Sequence, residues 1–137
     1  MNPASVRTAV IAGTTAVLAV PAIAVSQAIK LDVPVMIGGS AEFDACNGYG
    51  EIANLRPPDD FLSVRSGPAA KYREIDRLRN GDRVFVCGDN ATWASVVYPA
   101  TENRDCNVGT PWPKRRTYNG PCKRGWISIR YLKMLAG

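Results

Sequence analysis

Arg83-Val-Phe-Val-Cys87, Gly88-Asp-Asn90 and Trp93-Ala-Ser-Val-Val-Tyr98 are the stretch whose reading decides the fold. The two flanking segments are dense in β-branched and aromatic residues, which suit a pleated, half-buried surface, and Gly, Asp and Asn between them suit a turn. They are expected to pair as an antiparallel hairpin. Just upstream, Asn80-Gly81-Asp82 favours a second hairpin, because Asn-Gly accepts the positive φ angles of tight turns. It would join Arg83 to a strand over residues 72–78, although a helix over 69–78 is also arguable.

Working outward, Phe61-Leu-Ser-Val-Arg65 reads as a strand ending at Ser66-Gly-Pro68, and residues 51–55 as a short one. Between them Arg56-Pro-Pro-Asp-Asp forces a turn by fixing φ at two positions. Cys46-Asn-Gly-Tyr-Gly is turn-like. Downstream, Gly125-Trp-Ile-Ser-Ile-Arg130 is a strand, and residues 131–135 close the domain. The fold class expected is all-β: a small barrel of five to six short antiparallel strands. Residues 99–124 break this rhythm with Pro111, Pro113, Gly120 and Pro121, and read as a long irregular insertion. Residues 29–45 show neither helical period nor sustained alternation, and read as a linker or loosely docked arm before a domain spanning 46–137.

The first 28 residues differ in kind. Arg7 precedes an uncharged run over residues 8–25, followed by small residues, the pattern of a secretory signal peptide. Cleavage after Ala28 is favoured over Ala24, and no stable membrane insertion is expected afterwards. A retained anchor is the competing reading, because 18 uncharged residues approach the span of a bilayer. Pro21 and the scarcity of Leu argue against it.

Export to the periplasm or medium changes the reading of the four cysteines, since an oxidising compartment lets them pair. Three pairings are open to Cys46, Cys87, Cys106 and Cys122. Cys106 with Cys122 is favoured because it closes a short loop, which leaves Cys46 with Cys87. Zinc is the weaker alternative, because the chain has no Cys-x-x-Cys pair and no histidine. The lack of histidine also removes the Ser/His/Asp and Cys/His arrangements. No catalytic residues, cofactor or metal are expected.

Charge is distributed unevenly. From residue 29 the chain has 16 basic and 12 acidic residues, and from Cys106 onward seven basic and no acidic ones. Export and the lack of a recognised motif argue against nucleic acid as the partner. An anionic polymer, a lipid head group or an acidic protein surface would suit the basic end.

Leu62-Ser-Val-Arg-Ser-Gly-Pro68, Tyr72, Leu78-x-x-Gly-Asp-x-Val84, Trp93, Gly125-Trp126 and Tyr131-Leu132 follow one another in an order and spacing that resemble the bacterial SH3 domain. The resemblance covers residues 61–132 and implies an SH3-like barrel acting as a non-catalytic binding module in the cell envelope. Its expected partners are peptidoglycan or an envelope protein or peptide. It implies a ligand groove lined by aromatics, for which Tyr72, Trp93, Trp126 and Tyr131 are the candidates, with core packing as the alternative for each, Trp126 above all. Trp112, between two prolines and so not expected in a regular strand, reads either as an exposed contact beside Arg115 and Arg116 or as a plug over the barrel. Arg65 is expected to fork onto a carboxylate such as Asp82 or Glu74.

Overall fold

The computed structural model describes residues 4–5, 8–19 and 31–137. Residues 8–19 are exposed and form neither helix nor strand. The end of the expected signal peptide, with both candidate cuts, lies outside the described residues. From Met36 the chain forms β1 (Met36–Ile37), β2 (Ser40–Asp44), β3 (Gly48–Ile52), β4 (Leu62–Arg65), β5 (Glu74–Leu78), β6 (Arg83–Asp89) and β7 (Trp93–Tyr98). It continues through β8 (Pro111–Trp112), β9 (Arg116–Thr117) and β10 (Lys123–Ser128), one turn of 3-10 helix (Ile129–Tyr131), and β11 (Leu132–Ala136).

Seven strands form one antiparallel sheet in the order β11-β3-β6-β7-β10-β4-β5, and β1-β9 and β2-β8 form two small pairs. The all-β expectation holds, with more strands than the five or six read from the sequence. The β6–β7 hairpin forms as expected, with Phe85 opposite Val97 and Val86 opposite Val96. Asn80-Gly81 does make a turn, with Gly81 at φ 90°, but it joins β5 and β6, which do not pair. The turn instead docks on the end of β3: Gly81 N–H donates to the Ile52 carbonyl at 2.8 Å, and the Asn80 side chain bonds both backbone groups of Leu55 at 3.0 Å. Local turn chemistry was therefore right while the partner was chosen by the sheet. Residues 74–78 are strand, not helix.

Side-chain alternation along β6 and β7 feeds two cores. Val84, Val86, Ala94, Val96 and Tyr98 join Ile52, Leu62, Val64, Leu78 and Ile127 in the first. Six strands thus share one cluster, which requires the sheet to roll around it as a barrel wall. Gly125 permits the crossing of β10 over β4, because a Cβ there would overlap the Val64 side chain and stand 3.1 Å from the Arg65 carbonyl oxygen.

The second core lies on the other face, where Phe85, Cys87 and Val97 meet Val35, Ile37, Ala45, Cys46, Cys106, Val108, Tyr118 and Cys122. Both disulfides are seated here, Cys46–Cys87 and Cys106–Cys122, the favoured pairing. All four cysteines are so used, which corrects the zinc alternative.

Two expectations fail on this second core. Residues 33–45 are no linker: Val35 and Ile37 are only 2% and 4% exposed, and the Val35 carbonyl accepts from Tyr118 N–H at 2.9 Å. Alternation was hard to see because β1 is two residues long. The stretch 99–124 is likewise not wholly irregular, since it supplies β8 and β9, and Trp112 does lie in a strand. Gly38 makes that possible. At φ 76°, with Trp112 Cβ only 2.9 Å from where its own Cβ would stand, no other residue fits there.

Tyr118 organises the loop between the last two cysteines. It is 1% exposed, its hydroxyl donates to the Cys106 carbonyl at 2.9 Å, and it accepts from Cys122 N–H at 3.1 Å. Tyr118→Phe would strand two buried backbone groups, and is expected to cost about 2 kcal/mol. A urea titration checks this, and an unchanged midpoint refutes it.

Candidate functional site

The barrel carries an open groove of about 670 Å³ where the 54–63 segment, the start of β7 and the 3-10 turn meet. Its walls include Phe61, Trp93 and Tyr131, with Arg56, Arg65 and Arg130 around them and Asp59 on the rim. Trp93 is placed here by Asn90, whose side-chain oxygen accepts from Trp93 N–H at 2.8 Å, so the strand begins with the indole at the barrel end. Tyr131 arrives through the 3-10 turn, which moves the chain from β10 to β11.

Of the four aromatics expected to line a groove, Trp93 and Tyr131 come together there, both half-buried. Tyr72 does not line it. Its ring lies flat on Gly67, where a Cβ would stand 2.5 Å from the ring. Trp126 does not line it either, nor does it enter the core, which the inward Gly125 and Ile127 occupy. Trp126 is half-buried beneath the arm, with Nε1 donating to the Val33 carbonyl at 2.9 Å. Phe61 was missed by the sequence reading. Its signal was the aromatic opening of Phe61-Leu-Ser-Val, which strand propensity alone explained. Arg77 stacks on its ring, 3.9 Å from the centroid.

Arg65 forks onto neither expected carboxylate. Its Nη1 donates to the Tyr72 carbonyl at 3.0 Å. Asp82 accepts from Arg79 N–H at 2.7 Å instead. Glu74 accepts from Ser63 and from Arg77 at 2.7 Å, and these bonds, with a smaller contribution from the Arg65 charge, hold its carboxyl below the ordinary value.

Trp112, Arg115 and Arg116 form a separate shallow surface with Pro113, Lys114, Thr117 and Asn119. Arg116 sits over the Trp112 ring at 4.3 Å, and the half-buried indole packs against the second core.

A third hollow, of about 450 Å³, runs between the arm and the barrel, with Asp76, Tyr98 and Lys123 in its wall. Burial pushes the Asp76 carboxyl up. Hydrogen bonds from Lys123 Nζ at 2.9 Å, Arg77 N–H at 2.9 Å and the Tyr98 hydroxyl at 2.9 Å outweigh it and hold the group below its ordinary value. Burial and the adjacent Asp76 push the Tyr98 hydroxyl far upward, so it stays a neutral donor. A carboxyl depressed by folding stabilises fully above its unfolded pKa, and loses that contribution as pH falls through the folded one. Melting temperature is therefore expected to fall as pH drops below about 4. Asp76→Asn should flatten that acid limb in thermal melts, and an identical limb would refute the assignment.

Among the described residues no three His, Cys, Asp or Glu side chains are grouped to hold a metal ion, and no helix is long and apolar enough to cross a membrane.

A rolled antiparallel sheet, closed by short turns and carrying an open groove at one end, defines a small SH3-like β-barrel. The chain belongs to the bacterial SH3 domain family, which it matches over residues 60–133, more than half its length. Members of that family are binding modules that commonly take peptidoglycan or protein partners. No curated protein and no solved structure matches the chain. The match begins after β3, so the arm, the first three strands and Cys46 lie outside it.

Proposed function

We propose that this chain is an exported, non-catalytic binding module of the bacterial envelope, recognising peptidoglycan, a cell-wall peptide or another envelope ligand through the groove of Phe61, Trp93 and Tyr131. The convergence of those aromatics, with Trp93 and Tyr131 half-buried around an open volume of about 670 Å³, carries the reading. Such rings present rigid contact area at little entropic cost. Export is supported by the uncharged run over residues 8–25 and by two disulfides, which persist in oxidising compartments.

Purified oxidised protein is expected to co-sediment with insoluble peptidoglycan, and Trp93→Ala to weaken this about 30-fold, the effect of losing a central aromatic contact. Binding retained in Trp93→Ala but lost in Trp112→Ala would move the site to the second surface. That reading, a protein contact or inhibitor through the stapled basic loop, draws on the exposure of Lys114, Arg115 and Arg116 beside Trp112.

A further inference from the structure

Six ion pairs among the described residues engage Arg73, Arg77, Arg79, Arg83, Lys123 and Lys133. The three arginines of the groove, Arg56, Arg65 and Arg130, are in none of them, and Asp59 is the one carboxylate among the groove's described lining residues. Glu74, whose carboxyl feels the Arg65 charge, has its oxygens committed to Ser63 and Arg77.

We infer that the groove takes a peptide bearing free carboxylates, and that Arg65 is the residue that selects it. This rests on the groove being the binding site. A guanidinium matches a carboxylate through two parallel N–H groups, which an ammonium cannot do. Arg65 is half-buried and tied through Nη1 to the Tyr72 carbonyl, so little rotamer freedom is left to lose on binding. Arg130, with its guanidinium 5.8 Å from the Tyr131 ring centroid, sets a second cation beside an aromatic surface. Arginines next to rings suit a peptide, whose carboxylates are spaced and whose backbone can lie on the aromatics. A continuous polyanion would meet Asp59 and gain little from the rings. Three groove arginines outside every ion pair, set against one carboxylate, Asp59, are thus the feature that names the ligand's charge.

The test uses insoluble peptidoglycan stripped of phosphodiester-linked polymers, either native or with its carboxyl groups amidated by carbodiimide. The wild-type chain is expected to bind the native material about tenfold more tightly than the amidated material. Arg65→Gln removes the guanidinium but keeps a polar side chain, and Arg130→Gln changes an exposed side chain. Each should lose about tenfold on native material and no more on amidated. Arg65→Lys should fall between, and Arg104→Gln, in a distant loop, should match wild type. Equal wild-type binding before and after amidation, still lost in Trp93→Ala, overturns the carboxylate inference and leaves the groove reading intact. Binding that vanishes once phosphodiester polymers are stripped overturns the inference in favour of a phosphate polymer. No wild-type binding to any preparation overturns both.

Discussion

A chain that begins at Cys46 is expected to lose most of its folding stability relative to one that begins at Leu31. The segment so removed buries Val35, Ile37 and Ala45 in the second core at 2%, 4% and 5% exposure. Removing a buried Ile or Leu to Ala typically costs 2–5 kcal/mol, and the whole stability of a domain is about 5–15 kcal/mol. Backbone partners go too: Val35 bonds Tyr118, Gly39 N–H donates to the Trp112 carbonyl at 2.8 Å, and Val33 N–H donates to the Ser66 carbonyl at 2.8 Å. Deletion would therefore expose one side of β6 and β7, the central strands, to water. Guanidinium unfolding followed by near-ultraviolet circular dichroism should show a lower midpoint. In the full chain Ile37→Ala alone should cost about 3 kcal/mol. A shortened chain with the wild-type midpoint would mean that the arm is decoration.

Removing the Cys46–Cys87 bridge by a double Ser substitution is expected to cost about 4 kcal/mol, and removing Cys106–Cys122 about 3 kcal/mol, from the loops each closes. The sequence separations are 41 and 16 residues, and loop-closure entropy grows slowly with length. The first bridge has a further role. It ties the chain just before β3, which lies outside the family match, to β6, the strand with which β3 pairs. Loss of both bridges should leave the chain near its folding threshold, so reductant should unfold it at temperatures the oxidised form survives. Urea titrations with and without dithiothreitol measure this. Coincident curves would show that the two cores hold without the bridges.

The hypothesis of carboxylate selection bears on these results, because Arg56 and Asp59 belong to the 54–63 segment that follows β3. A destabilised β3 would loosen that wall of the groove and weaken binding without touching Trp93. Binding assays on the disulfide variants therefore belong at temperatures where each remains folded.

Much of the barrel was legible in the chain because its signals are local. The run Arg83-Val-Phe-Val-Cys87 names a strand, Gly88-Asp-Asn90 names the turn, and the β-branched and aromatic residues of Trp93-Ala-Ser-Val-Val-Tyr98 name its partner, all within reach of one hairpin. The ordered set from Leu62 to Leu132 resembled the family to which the chain belongs, and two of the four aromatics it singled out, Trp93 and Tyr131, line the same hollow. The favoured disulfides also formed, with Cys106–Cys122 closing the shortest loop the four cysteines allow.

What the tertiary structure alone decided is which faces meet. Asn80-Gly81 specifies a turn but not that β5 pairs β4 rather than β6, because strand partners are chosen across the whole sheet. Val35 and Ile37 look like any apolar residues of a linker until Val97 and Phe85 present a second face for them to cover. Trp126 is neither groove nor core because the inward positions of β10 went to Gly125 and Ile127, leaving the indole to the outer face and the Val33 carbonyl. Arg130 lies far along the chain from Arg56 and Arg65, and only the rolled sheet brings the three charges to one groove. Propensity and turn chemistry act over a few residues, whereas burial and charge pairing depend on neighbours that the chain supplies from a distance.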